Sequence, residues 1–531
     1  MRGFSRKQAR RPVGGRAADA LMRVPVARVA ARAAVAPDAA GDALMVLAAC
    51  VLAAAWMLVQ LDGPYDTDAW FLLAAGREVV ESGFPLENPW AAQAGLGVVI
   101  QQWAHDVLLW LAWGAGGPAA VCALACAMGA GLALALFGAI GAVAPSRPAP
   151  APRALLAALA VAGGCGWYVS ARPTAWSMMA LLAVVALCMR WRATGRGAWL
   201  APLPLVALAQ VQLQASLWML SLFAAACFLL PDSPRALRGG GLRGLLASRL
   251  PLLAALLAMC AASLANPYGI LGSLYAPLSV GIASYASAIQ EMRPLLSMSP
   301  PVVCSSLSVG VALPALTMLL KGRPAPLPLL ALWAAALAAA LMHGRSVWIL
   351  AIAACLVCGS LLAPSRAGER SPRAGVAAAL LAGSLALGVA ASAAWAEADG
   401  AGWGESDGLA PIARTILSEG GGKVFVETDW WANRLLFEGV PVQFDLRPEL
   451  WEGAIPGVEG PSAWKAYVDA AQGGEEAMSA YVMGGGWDFL VVSLEDAGRF
   501  AESYGMATVE VEGPYVLMEP TEATASLAAA G

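Results

Sequence analysis

From Ala43 to Trp395 the chain is a succession of apolar runs with short polar breaks. Most runs are long enough to cross a hydrocarbon core, which takes roughly 20 helical residues. They predict spans at 43–61, 117–142, 154–170, 174–190, 198–213, 215–231, 250–265, 304–320, 326–342, 346–363 and 374–395. After Ala396 short mixed segments take over: helix-like 408–418, 431–438, 462–482 and 495–504 alternate with strand-like 423–427, 441–445, 489–493, 507–511 and 514–518. The pattern predicts an α-helical polytopic membrane protein, about eleven transmembrane helices followed by a small C-terminal α/β domain.

Residues 98–113 (VVIQQWAHDVLLWLAW) also tempt a count as a span. They hold Gln101, Gln102, His105 and Asp106, and counting them would invert every later loop. They read instead as an amphipathic helix at the outer interface, anchored by Trp103, Trp110 and Trp113.

Charge fixes the orientation. With the N-terminus inside, Arg147/Arg153, Arg190/Arg192/Arg196, Arg235/Arg238/Arg243/Arg249, Lys321/Arg323 and Arg366/Arg370/Arg373 all fall on the cytoplasmic side. The loops 62–116 and 266–303 and the C-terminal domain fall outside. The chain thus divides into a basic, unstructured cytoplasmic tail (1–42), a transmembrane domain (43–395), an extracytoplasmic α/β domain (396–520) and a disordered tail (521–531). The nine arginines and lysines of the first tail read as a retention signal ahead of a first span, not as a nucleic-acid arm or a cleavable leader.

Composition agrees: 59% of residues are hydrophobic and 13% charged, against about 25% charged in ordinary soluble domains. All ten cysteines lie in or beside the apolar runs, where a free thiol packs as a small hydrophobe, so neither a disulfide framework nor a zinc site is expected.

The polar residues worth attention collect on the outer side. Asp66 and Asp68 follow the first span, His105 lies in the interfacial helix, and Arg172 sits at an outer turn. Gln212 and Gln214, Asn266 of Asn-Pro-Tyr-Gly, Glu291, Arg293, His343 and Arg345 mark further outer turns. Each has a plain alternative: a carboxylate can cap a helix, an arginine can snorkel, and Asn-Pro-Tyr-Gly can be a turn. Taken together they suit transfer from a lipid-linked phosphate. Guanidinium forks match phosphate oxygens, and a surface carboxylate can serve as general base or hold a divalent cation such as Mg2+ or Mn2+. In the C-terminal domain Asp429, Asp445 and Arg447 sit at strand ends, where α/β folds often bind ligands, or else cap turns. The run Gly484-Gly485-Gly486 precedes a strand rather than bridging strand to helix, so a nucleotide site is not expected.

The stretch DTDAWFLLAAGREVVESGFPLENPWAAQAGLGVVIQQWAHDVLLW resembles the first outer loop of bacterial membrane proteins related to the C-type glycosyltransferases, including protein mannosyltransferases and arabinosyltransferases. ARPTAWSM, ANPYGIL, IQEMRP, HGRSVWIL and VFVETDWWANRLLFEGVPVQFDLRPELW extend the resemblance from Asp66 to about Pro520. It implies an inverting enzyme with a polyprenyl-phosphate sugar donor, a glycan or protein acceptor and an active site at the outer face of the bacterial cytoplasmic membrane. By it Asp66 and Asp68 are the catalytic or metal-holding positions, with Arg172, Arg345 and His343 towards the donor phosphate. The chain departs from that pattern at Gln212-Leu213-Gln214-Ala215, where relatives read Asn-x-His-Gly, and at Trp430-Trp431-Ala432-Asn433, where they read Trp-Gly-Gly-Tyr. A non-catalytic scaffold or glycan-binding relative is the alternative. Transport ranks third, because no charge lies well inside a span.

Overall fold

The computed structural model describes residues 39–59, 65, 68–92, 95–145, 148–233, 242–275, 292–363, 374–400, 402–445, 447 and 463–521. Asp66 and Glu291 lie outside the described residues, as does the side chain of Asp429. Within them every predicted span is mainly helical, and the chain is a membrane-embedded helical bundle bearing a small sheet. Among the described residues five helices, Trp103–Val143 and Thr174–Thr194 included, are long and apolar enough to cross a membrane; others, such as Leu327–Met342, are shorter.

Alanine sets the spacing of the bundle. Ala49, Ala53, Ala154 and Ala157 are wholly buried, which lets Ala39–Val59 pack closely on Pro150–Ala160 and on Ala374–Asp399. The run 154–170 is not one α-helix. After Ala160 it widens into a π turn, Val161–Cys165, and tightens into Gly166–Tyr168. At Gly164 a Cβ would sit 3.0 Å from the backbone of Val347, so a glycine here allows the Val347–Gly359 helix its close approach.

The segment read as an interfacial helix starts at Trp103 and is continuous in sequence with the next span, broken by non-helical backbone at Gly116 and Gly117. Gly117 adopts φ 58°, a region that L side chains avoid. The part before the break has one face covered by protein, while Leu108 and Leu111 stay exposed on the other. His105 and Asp106 are fully buried, Trp103 bonds Gln212, and Trp113 packs on Trp70 and Trp403. Its other tryptophans also make ring contacts, Trp103 with Phe84 and Trp110 with Phe437.

The C-terminal domain carries four strands, β1 (Val424–Val426), β2 (Phe489–Ser493), β3 (Met506–Glu512) and β4 (Tyr515–Pro520), in the order β1-β2-β4-β3. β1 runs parallel to β2, and β4 is antiparallel to both β2 and β3. The predicted strand 441–445 is not a ladder. Val442 makes single parallel bridges to Val424 and Ala91, with Val442 N–H donating to Trp90 O and Ala92 N–H to Val442 O, both at 3.0 Å. The Gln443 side-chain amide then stands in for a strand, bonding both the N–H and the carbonyl of Val426 at 3.0 Å. The helix-like 462–482 likewise divides at Gly473–Gly474 into Ala463–Gln472 and Glu475–Gly484.

The sheet is fastened to the bundle through the Ala69–Glu81 helix, whose first eight residues are all buried. At Gly76 this helix crosses the one that begins at Trp103 so closely that a Cβ would fall 2.0 Å from Asp106 O. Gly76→Ala is therefore expected to destabilise the protein by about 1–3 kcal/mol, the usual cost of overpacking. Gly138→Ala, where a Cβ meets nothing within 4 Å, is expected to be neutral or slightly stabilising. Thermal unfolding of the two detergent-purified variants checks this contrast.

Candidate active site

Asp68 occupies the N-cap position of the Ala69–Glu81 helix but makes no side-chain capping hydrogen bond. Its carboxylate turns to Arg172, with Nη2 3.1 Å from Oδ2 and both side chains about four-fifths covered (18% and 19% exposed). The two alternatives the sequence left open, capping and snorkelling, are thus replaced by a partly buried ion pair between residues more than a hundred positions apart. In such a setting the charges are screened less than at an open surface.

His105 holds the Arg172 turn. The Trp176 indole N–H donates to His105 Nδ1 at 3.1 Å, and His105 Nε2 lies 2.6 Å from the Ala171 carbonyl oxygen. An indole nitrogen only donates and a carbonyl only accepts. His105 is therefore the neutral tautomer with its proton on Nε2, clamping the residue next to Arg172. Arg172 N–H in turn donates to Ser170 Oγ at 3.2 Å.

A polar layer continues from this point. Gln214 Oε1 accepts from Ser177 Oγ at 2.7 Å, and Gln210 Nε2 donates to the same hydroxyl at 3.2 Å. Gln212 Oε1 accepts from the Trp103 indole at 2.8 Å while its Nε2 donates to Ala265 O at 2.5 Å. Asn266 closes its own turn, donating from Nδ2 to Ser263 O, Gly269 O and Ser273 Oγ and accepting from Tyr268 N–H. The turns near residues 101, 172, 214 and 266 are thereby joined into one network. His343 and Arg345 belong to a second group: His343 Nδ1 is 3.2 Å from Met292 O, and Gly344 N–H donates to Arg293 O at 2.7 Å. These described bonds tie the 343–345 turn to Arg293 rather than to Asp68.

In the sheet domain Asp445 is fully buried and chelated by Arg447, whose backbone N–H and Nε donate to Oδ1 at 2.8 and 3.1 Å and whose Nη2 pairs with Oδ2. The Arg447 guanidinium lies 4.7 Å from the Phe71 ring and 4.8 Å from that of Trp90, so this pair is a plug set into the loop helix. Asp429 begins the Asp429–Glu438 helix.

One residue that sequence reasoning did not single out is Asp106. Both carboxylate oxygens are buried without a hydrogen-bond partner among the described residues. The signal was present as a carboxylate inside the apolar run 98–113, but its burial depends on helices distant in sequence. Trp176, the partner of His105, was visible only as part of ARPTAWSM. Among the described residues no three His, Cys, Asp or Glu side chains gather into a metal-binding group. Asp68 faces a guanidinium rather than a second carboxylate, so the described donors do not by themselves fit a divalent ion.

Removing the His105 imidazole leaves a buried indole N–H and a buried carbonyl unpaired, at about 1–3 kcal/mol for each. His105→Phe is expected to lower the unfolding temperature markedly, and His105→Gln, which can restore one of the bonds, to lower it less. Differential scanning of the purified proteins checks the order.

No protein-family model matches the chain, and no curated protein matches it in sequence. Solved structures do match in fold. ArnT from Cupriavidus metallidurans bound to undecaprenyl phosphate superposes with a TM-score of 0.51 at 14% identity, over 91% of this chain and 98% of that one. The Archaeoglobus fulgidus oligosaccharyltransferase, tethered through a disulfide to an acceptor peptide containing the NVT sequon, gives 0.52 at 13% identity over 85% and 69%. AglB from the same organism, in complex with an inhibitory peptide and a dolichol-phosphate, gives 0.50 at 12% identity over 86% and 70%. The agreement extends along most of the chain, and the fold is the one shared with these solved structures.

Proposed function

We propose that the protein is a membrane glycosyltransferase that moves a sugar from a polyprenyl-phosphate donor to a cell-envelope acceptor, glycan or protein, at the outer face of the bacterial cytoplasmic membrane. The observation that carries this reading is the Asp68–Arg172 pair, held at the loop-helix start in a fold shared with ArnT bound to undecaprenyl phosphate. In this reading residues 1–42 and the basic loops are cytoplasmic, while the loops 62–116 and 266–303 and the domain 396–520 face outward.

The division of labour follows from charge. Arg172 meets the donor phosphate and stabilises the negative charge left on it as the glycosidic bond breaks. Arg345 and His343, on the turn tied to Arg293, are assigned to the same phosphate. Asp68, paired with Arg172, keeps the loop in place, and Asp66 two residues earlier takes the proton from the acceptor hydroxyl as it attacks the anomeric carbon. Attack on the face opposite the leaving phosphate inverts the anomeric centre. A divalent cation such as Mg2+ or Mn2+ held by Asp66 and Asp68 belongs to the same proposal, although no step above depends on it.

A second reading, a non-catalytic envelope scaffold, draws on the glutamines: Gln212 and Gln214 spend their amides on hydrogen bonds that brace helices. One assay separates the two. Membranes expressing equal amounts of wild type, Asp66→Asn, Asp68→Asn and Arg172→Gln are given a panel of lipid-linked sugars. Loss of a general base is expected to cut turnover by about 10²–10⁴-fold, and Arg172→Gln to weaken donor use as well. If the wild type consumes no donor across the panel, the scaffold reading takes its place.

A further inference from the structure

The helix Thr174–Thr194 begins just after Arg172 and is long and apolar enough to cross a membrane, so its last turn lies at the opposite membrane end. That turn carries Arg190 and Arg192, and Arg196 stands immediately before the Gly197–Leu200 turn that follows. A Cβ on Gly197 would meet Pro251 of the Leu242–Ser263 helix at 4.0 Å, a contact that brings Arg249 to the same place. The Arg249 guanidinium lies 5.4 Å from the Trp191 ring centroid, and its charge and that of Arg192 act on each other. Four guanidinium groups thus share one corner of the bundle. From Arg172 to Ser263 the sequence supplies a single acidic side chain, Asp232.

Arg192 takes that carboxylate, with Nη1 2.9 Å from Asp232 Oδ1. Arg190, Arg196 and Arg249 have neither an ion pair nor a side-chain hydrogen bond among the described residues, and all three can be reached from outside: Arg190 and Arg196 are exposed and Arg249 partly so. Two of them are held by rings. Arg249 lies over Trp191, and Arg190 lies 6.0 Å from the centroid of the exposed Trp199. Beside this cationic end the wall is apolar and uncovered. Leu250 and Leu257, seven residues apart and so on one helix face, are both exposed, as is Leu205 on the neighbouring Leu203–Leu213 helix. Guanidinium groups above an open apolar strip match a molecule with an anionic headgroup and acyl chains. A free phosphate leaves the strip unused, and a zwitterionic headgroup brings its own ammonium against the arginines.

We propose that this corner binds an anionic phospholipid of the surrounding leaflet. Its phosphodiester oxygens accept from Arg196 and Arg249, Arg190 adds its charge from the Trp199 ring, and the chains lie along Leu205, Leu250 and Leu257. The site is at the far end of the helix from the Asp68–Arg172 pair and does not depend on whether that pair is catalytic. A lipid held there ties the Leu242–Ser263 helix to the end of Thr174–Thr194, and it offsets the repulsion among guanidinium groups that one carboxylate cannot balance.

The test uses the full chain in mixed micelles containing equal amounts of phosphatidylglycerol and phosphatidylethanolamine, followed by native mass spectrometry. Wild type is expected to retain phosphatidylglycerol in about tenfold preference, the scale of a single charge-assisted contact. Arg196→Gln with Arg249→Gln is expected to retain the two lipids equally, and Arg196→Gln alone, at an exposed position that folding does not need, to lose part of the preference. Lys321→Gln with Arg323→Gln removes the same charge from exposed positions outside the corner and is expected to keep it. Thermal unfolding gives a second reading: phosphatidylglycerol is expected to raise the unfolding temperature of wild type but not of the Arg196/Arg249 double variant, and glycerol phosphate at the same concentration to leave wild type unchanged. Equal retention of the two lipids by wild type, an equal loss of preference in the Lys321/Arg323 variant, or stabilisation by glycerol phosphate as large as by the lipid would each overturn the proposal.

Discussion

The burial of Trp70 is the interaction on which the rest of the arrangement depends. The indole is 2% exposed and touches four partners from three parts of the chain: Trp113 before the helix break, Trp403 at the entry to the sheet domain, and Phe437 and Arg434 on the Asp429–Glu438 helix. An aromatic side chain so enclosed is worth about 3–5 kcal/mol by truncation. It fixes the start of the Ala69–Glu81 helix against both the bundle and the sheet. Asp68, immediately before that helix, is placed by the same contact.

From that fixed point the polar side of the loop becomes understandable. Asp68 can reach Arg172 only because the close crossing at Gly76 holds the loop helix against the one carrying His105, and His105 grips the carbonyl of Ala171. Neutral imidazole suits this task. A protonated ring would offer a second N–H to the Trp176 donor and break the clamp. The arginine is thus positioned by backbone, and the backbone by a histidine whose tautomer is set by an indole.

The sheet domain is not a separate attachment. Val442 borrows a strand partner from Trp90 and Ala92 of the loop, and Arg447 sits between Phe71 and Trp90 while chelating Asp445. Together with the fully buried Asp106 these residues form a polar core at the junction. Breaking one member of such a buried set costs more than the set contributes as a whole, because it strands the others. A junction of this kind favours one docking geometry for the domain over the loop.

The sequence by itself determined the membrane class, the placement of nearly every helix and the presence of a small α/β domain. Those are local properties: apolar run length, loop charge and residue alternation are written in neighbouring positions. It also named Asp68, Arg172, His105, Gln212, Gln214 and Asn266 as candidates, and in the structure bonds join Asp68 to Arg172, His105 to Trp176 and Gln214 to Ser177. Tertiary structure alone decided what each does. Asp68 could equally have capped its helix, the segment 98–113 could have left His105 and Asp106 at the surface, and 441–445 could have been a ladder strand. The choice came from contacts with residues far along the chain: Arg172 for the first, Trp70 and Trp403 for the second, Trp90 and the Gln443 amide for the third. Such pairings leave no periodic trace, because the energy that selects them exists only once the helices have packed.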